Sequence, residues 1–233
     1  MFQVYIRFIL VCCLWLIALP GANAAVKESV FIEGQDYVRL PADIRNNPNV
    51  TQLMASDPNK IQVIFFFSYG CHACEHFHQP FEKWSAKHKT ANSKVVVYRY
   101  PVSFNPQWQI LAKAYYTMEL LDPTGKLNDA IFEAIHKRGA KLWQEPVMTS
   151  FFVQHGYKAK QFENAYTSFG VSKNMKRADD IAKAYKIAET PDIIINGPYA
   201  SYKVDVARVE GDLEKFFKIV DFIVAKEAKL LGN

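Results

Sequence analysis

The stretch Ile61-Gln62-Val63-Ile64-Phe65-Phe66-Phe67-Ser68-Tyr69-Gly70-Cys71-His72-Ala73-Cys74-Glu75-His76-Phe77-His78-Gln79-Pro80-Phe81-Glu82-Lys83-Trp84 passes from a strand into a helix at a pair of cysteines. The run up to Phe67 is apolar and rich in β-branched and aromatic residues, the pattern of a buried central strand over Lys60 to Phe67. From Cys71 onward the pattern reads as a helix reaching about Lys89, with Pro80 expected to kink it. Cys71 then sits at a helix N-terminus, where unpaired backbone N–H groups and the positive end of the dipole favour a thiolate. A thiolate is the form that attacks disulfides. Two intervening residues also let the sulfurs close a small, readily exchanged disulfide. The motif points to thiol–disulfide exchange.

The cysteine arithmetic agrees. Arg7, the apolar run Phe8 to Leu19 and Ala22-Asn23-Ala24 read as a signal peptide over residues 1–24, cleaved after Ala24. Of the 4 cysteines, Cys12 and Cys13 fall inside that segment, and Val11 is not the small residue that precedes a lipidated cysteine. Cys71 and Cys74 are left. A bridge between them closes too small a loop to stabilise much by loop entropy, so they are chemical rather than structural. Export into an oxidising compartment, a bacterial periplasm, is expected.

The chain carries 28 Lys and Arg against 23 Asp and Glu, a net charge of +5 without a basic stripe. Lys173, Lys176 and Arg177 look like a solvated helix face, and no nucleic-acid surface is expected. No stretch is long enough for a membrane span. Paired carboxylates, a serine nucleophile set and a glycine-rich phosphate loop are absent from the sequence, and Glu145 and Glu163 read as helix surface.

Outward from the motif, Glu28 to Leu40 reads as a first strand with a bulge or turn at Gly34-Gln35, and Pro41 to Pro48 as an exposed loop. Lys94 to Val102 is a strand. Helices are expected over Pro106 to Leu121, with an apolar face of Trp108, Leu111, Ala112, Tyr115, Tyr116 and Leu120, and over Leu127 to Lys137, Glu145 to His155, Lys158 to Ser168, and Ser172 to Tyr185 capped by Ser172. Asp192 to Ile195 and Ala200 to Val204 are strands joined by a hairpin at Asn196-Gly197, and a last helix runs from Gly211-Asp212 to about Leu230. The order gives a βαβ half and a ββα half of a thioredoxin-type sheet. The expected division is 25–104 with 187–233 for the sheet, and 105–186 for an inserted helical subdomain. The fold class is therefore α/β, thioredoxin-like, with a helical insertion.

These segments resemble the DsbA family of periplasmic thiol:disulfide oxidoreductases. Phe66-Phe67-Ser68-Tyr69-Gly70-Cys71 is similar to the family's approach to its active site. Trp108-x-x-Leu111-Ala112-Lys113-Ala114-Tyr115-Tyr116, Phe132-Glu133-Ala134-Ile135-His136 and Ser168-Phe169-Gly170-Val171 resemble parts of its insert. Thr190-Pro191 before Asp192 to Ile195 resembles its cis-proline loop. The resemblance implies an exposed attacking Cys71 and a buried resolving Cys74. It also implies a cis-proline at Pro191 facing the disulfide, and backbone groups of Thr190 offered to an extended substrate. It further implies reduced exported proteins as substrates and a DsbB-like membrane protein as reoxidant. No cofactor is expected beyond the Cys71–Cys74 disulfide.

Three positions depart from the family pattern. His72-Ala73 replaces the common Pro-His, so the imidazole beside the second cysteine is missing, and His72 is the candidate substitute. Phe65 stands where many members bury a glutamate. Thr190 precedes the proline where some have valine. These bear on redox tuning, and a disulfide isomerase or reductase of the same fold is the alternative. Ala25 to Asn59 is too short for the separate dimerisation domain usual in isomerases. Cys71, Cys74 and His78 lie within one face's reach on a helix, so a non-enzymatic zinc or copper carrier is a further alternative. The adopted reading assigns no metal ligand. Covalent haem would need His after Cys74, where Glu75 stands.

Overall fold

The structure is a computed structural model that describes residues 31–122 and 125–231. The signal-peptide segment 1–24, the start of the expected first strand and Pro123-Thr124 lie outside the described residues. From Phe31 onward the described residues form one compact unit. In chain order these are β1 (Val38–Arg39), α1 (Ala42–Arg45), α2 (Pro48–Ser56), β2 (Ile61–Phe67), α3 (His72–Ala86), β3 (Val95–Pro101), α4 (Pro106–Leu121), α5 (Leu127–His136), α6 (Glu145–Gln154), α7 (Ala159–Tyr166) and α8 (Phe169–Ala184). They are followed by β4 (Asp192–Asn196), β5 (Ser201–Asp205), a 3-10 turn (Val206–Val209) and α9 (Leu213–Leu230). No described helix is long and apolar enough to cross a membrane.

All seven residues of β2 are buried, which is what a continuous apolar run of strand length requires. The sheet order is β1-β5-β4-β2-β3, with β2 parallel to β3 and antiparallel to β4. Successive side chains of β2 point to opposite faces. Phe65 goes to one face, against Phe77 (5.2 Å between ring centroids) and Phe81 (4.5 Å) of α3. Phe216 of α9 meets Phe77 edge-on at 5.2 Å. Phe66 goes to the other face, against Tyr185 at 5.9 Å, just beyond α8. α3 runs through Pro80 without a break.

The five helices α4–α8 stand between β3 and β4, as the sequence order implies. They are held to the sheet beside the cysteines by an aromatic cluster. Phe67 packs on Tyr115 of α4 at 5.3 Å, and Tyr69 on Phe132 of α5 at 4.9 Å. Such edge-to-face pairs add a favourable quadrupole contribution to the burial of large apolar area.

Several expectations are corrected. Pro41 to Pro48 is not an exposed loop: it contains α1 and leads into α2, which the sequence reading missed. Asn47 caps α2 by accepting from the Asn49 N–H at 2.9 Å, Pro48 takes the first helical position, and Val50 and Leu53 are fully buried. Arg45 donates to the carbonyls of Gly197 (3.1 Å) and Pro198 (2.6 Å), which ties α1 to the β4–β5 hairpin.

The first strand shortens to Val38–Arg39. Asp36 accepts from the Ile32 N–H at 2.9 Å and turns the chain back on itself at Gly34, whose φ is +90°. Ser168, not Ser172, caps α8, accepting from the Val171 N–H at 3.3 Å. Leu120 is exposed, and Ala114, Thr117 and Met118 take its place on the inner face of α4. The hairpin after Asn196 is a four-residue connection, since Asn196 pairs with Ser201. Gly197 is required there for a different reason: a Cβ would overlap the buried Glu227 carboxylate.

Candidate active site

β2 delivers Ser68-Tyr69-Gly70 to the head of α3. The Cys71 N–H donates to the Ser68 carbonyl at 3.1 Å, and the Gly70 N–H to Ser68 Oγ at 3.1 Å, which closes a tight turn. Cys71 is the N-cap of α3. Its Sγ accepts from the Cys74 N–H at 3.2 Å, the role usually filled by a serine or aspartate oxygen. Cys71 Sγ also lies 3.4 Å from the Thr190 carbonyl oxygen, and the Thr190–Pro191 peptide bond is cis. The structure thus brings Cys71, Cys74, Thr190 and Pro191 together from the two halves of the sheet.

Both cysteines are free thiols in this state. Cys71 is buried rather than exposed as expected, but its 7% exposure against 0% for Cys74 makes it the one reachable sulfur. Their electrostatics diverge. A hydrogen bond from the Cys74 thiol pulls the Cys71 thiol down most. Burial opposes it, Thr190 and the backbone N–H groups of Cys74 and Ala73 add to it, and the result is about 6. Cys74 is pushed well above the ordinary thiol range by burial first and by its bond to Cys71 second. One sulfur is a thiolate at neutral pH and the other holds its proton.

His72 does not tune this pair in the expected way. It is exposed, its Nε2 lies 3.2 Å from His76 Nε2, and none of the main contributions to the Cys71 shift comes from it. Ala73 is exposed and contributes only its backbone N–H. His78 is not available as a metal ligand beside the cysteines. It is buried, and its Nε2 contacts Asp129 Oδ1 of α5 at 2.6 Å.

Neighbours that the sequence reading missed complete the site. His136 donates from Nε2 to the Tyr69 carbonyl at 2.8 Å, and the Tyr69 hydroxyl donates to Asn128 Oδ1. Asp192, directly after Pro191, is buried beside Lys203 Nζ (2.8 Å), and burial raises its carboxyl to about 6. A charged residue opening an otherwise apolar strand was the available signal for it. Gly70 gives room to Trp108 of α4. A Cβ there would lie 2.5 Å from Nε1 and 2.8 Å from Cδ1 of the indole. Gly70→Ala should therefore displace the indole and cost about 1–3 kcal/mol. Urea denaturation and tryptophan fluorescence would show this, and an unchanged midpoint and spectrum would mean that the contact is not tight.

A family model described as a DSBA-like thioredoxin domain matches residues 89–214. The thiol:disulfide interchange protein DsbA of Azotobacter vinelandii is 32% identical over 194 residues, which is 83% of each chain. The chain belongs to the DsbA family. The DsbA of Pseudomonas aeruginosa is 29% identical over 221 residues, covering 95% of this chain and 96% of that one. Its crystal structure superposes with a TM-score of 0.73 at 28% identity, over 87% of this chain and 97% of that one. Like these DsbA relatives, the protein is a thiol:disulfide oxidoreductase of thioredoxin fold. Between its cysteines the chain carries His72-Ala73, and β2 carries Phe65.

Proposed function

We propose that the protein works in the periplasm, after signal-peptide removal, as a donor of its Cys71–Cys74 disulfide to reduced exported proteins. A substrate thiolate attacks Cys71 Sγ of the disulfide, the S–S bond breaks, and its electron pair leaves on Cys74, which takes up a proton. A second substrate thiolate attacks the substrate sulfur of the mixed disulfide and releases Cys71 as the thiolate. The substrate is oxidised and the protein gains two electrons. A DsbB-like membrane protein returns it to the disulfide. Pro191 presents no N–H to the sulfurs, and Thr190 offers backbone groups to an extended substrate.

The observation that carries this direction of electron flow is the depressed Cys71 thiol. A thiol lowered to about 6 stabilises the reduced folded state relative to the reduced unfolded chain, with its ordinary value near 8.5. That stabilisation is complete above the unfolded value and is lost as pH falls through about 6. The oxidised state has no thiol and gains nothing. At pH 7, where Cys74 is protonated in both states, the difference is on the order of 1 kcal/mol toward oxidant.

Equilibration of the purified protein with glutathione buffers across pH tests this. The potential should lie on the oxidising side of the thioredoxin value of about −270 mV at neutral pH, and should fall with pH by about 59 mV per unit below pH 6 and about 30 mV per unit above it. A value near the thioredoxin range, about −270 mV, would reverse the assignment to a reductase. A single slope through pH 6 would mean that Cys71 is not a depressed thiol.

A further inference from the structure

The first turn of α3 carries a cluster that disulfide exchange does not use. His72 and His76 are four residues apart on one helix face, with Nε2 atoms at 3.2 Å. Glu75 Oε2 lies 3.4 Å from the His76 ring. Among the described residues, each of the three offers a ligand atom within 4.8 Å of the others. With zinc–nitrogen bonds of about 2.0–2.1 Å, two imidazoles on a tetrahedral ion stand about 3.3 Å apart, so both rings are already placed for one. The order His-x-x-Glu-His is also the one by which a class of zinc peptidases presents two imidazoles from a single helix. Two imidazoles and a carboxylate suit zinc, nickel or cupric ions, not magnesium or calcium.

The competing contacts are weak. The pair between Glu75 and Lys137 stands at 4.0 Å on the surface. The helix N-terminus disfavours a cation, and the Glu75 carboxylate offsets this. His136, whose ring is 5.5 Å from that of His72, is a neighbour rather than a ligand, since its Nε2 is committed to the Tyr69 carbonyl.

We propose that His72, Glu75 and His76 bind one zinc-class dication, with water completing the coordination, and that the bound ion, held on the residue that directly follows Cys71, slows attack there. The shielding half rests on Cys71 being the reactive sulfur; the binding half does not.

Untagged protein in the disulfide form, whose sulfurs cannot ligate, is titrated with Zn2+ alone by calorimetry. One ion should bind. His76→Ala should weaken it by at least ~10-fold, a direct ligand being worth no less than an outer-shell partner, and Glu75→Gln should weaken it by less. No binding, or equal binding by His76→Ala, overturns the site. Reduction of the Cys71–Cys74 disulfide by a water-soluble phosphine is then timed. Zn2+ should slow the wild type several-fold and leave His76→Ala, which without metal reacts at the wild-type rate, unchanged. Zn2+ that binds but leaves the wild-type rate unaltered overturns the shielding. A disulfide that forms no mixed disulfides with thiols, with or without metal, would count against the redox reading instead.

Discussion

Cys74→Ala should turn a protein that cycles into one that is trapped. Cys71 loses the Cys74 hydrogen bond that lowers its thiol most, so its thiolate fraction falls, but it keeps the contributions of Thr190 and of the backbone N–H groups and still exchanges with disulfides. Without Cys74 no internal sulfur can release the adduct. Mixed disulfides through Cys71 should accumulate with glutathione disulfide or a misoxidised protein, visible on non-reducing gels and removed by dithiothreitol. Cys71→Ala should do the opposite. The remaining sulfur is fully buried and strongly protonated, so no adduct should form and thiol oxidation should fall to the rate of buffer alone. Adducts forming as readily through Cys74 as through Cys71 would reverse the division of labour.

Phe65→Ala should cost about 3–5 kcal/mol, the largest effect on stability expected from a single truncation near the site. Phe65 is 1% exposed and is surrounded by Phe67 at 5.2 Å and by Phe77 and Phe81 of α3. The helix and the strand around it are both anchored by aromatic rings and cannot collapse inward to fill the cavity. Urea denaturation should show a lower midpoint with an unchanged slope. A loss below about 1 kcal/mol would mean that the interface relaxes. The same packing excludes a charged side chain at this position. A carboxylate among three phenyl rings would have no partner.

Much of this was legible in residues 61–84, because β2 and α3 are decided by local pattern: an unbroken apolar run, then a helical one. The insert was legible for the same reason, and α4 begins where Pro106 suggested. The missed elements were those whose start signals are ambiguous. Asn47-Pro48 serves equally as a turn or as a cap with a first helical residue, and only the burial of Val50 and Leu53 decides it. Ser168 and Ser172 are both capping residues one turn apart, and the choice depends on where Val171 is buried. The site shows the same divide. Cys71, Cys74 and Pro191 sit in motifs. The His78–Asp129 and Asp192–Lys203 pairs join residues far apart in sequence, or strands whose register was unknown, and the rotamer that turns His72 toward His76 leaves no trace in sequence spacing.

One consequence concerns β4, whose middle is Ile193-Ile194-Ile195. Three identical side chains carry no information about alignment, and a slip of one residue against β2 would replace isoleucine by isoleucine. The ends break the degeneracy. The buried Asn196 amide donates to Gln62 Oε1 at 3.1 Å and to the Tyr185 hydroxyl at 2.7 Å, while Gln62 Nε2 donates onward to the Leu53 carbonyl at 2.8 Å. A slip would strand these groups in an apolar interior, at about 1–3 kcal/mol each. It would also shift Thr190 by about 3.3 Å along the strand, roughly the full length of its present contact with Cys71 Sγ. The alignment of the proline loop with the nucleophile is thus keyed by an amide pair about five residues, or ~16 Å, away at the far end of the strand.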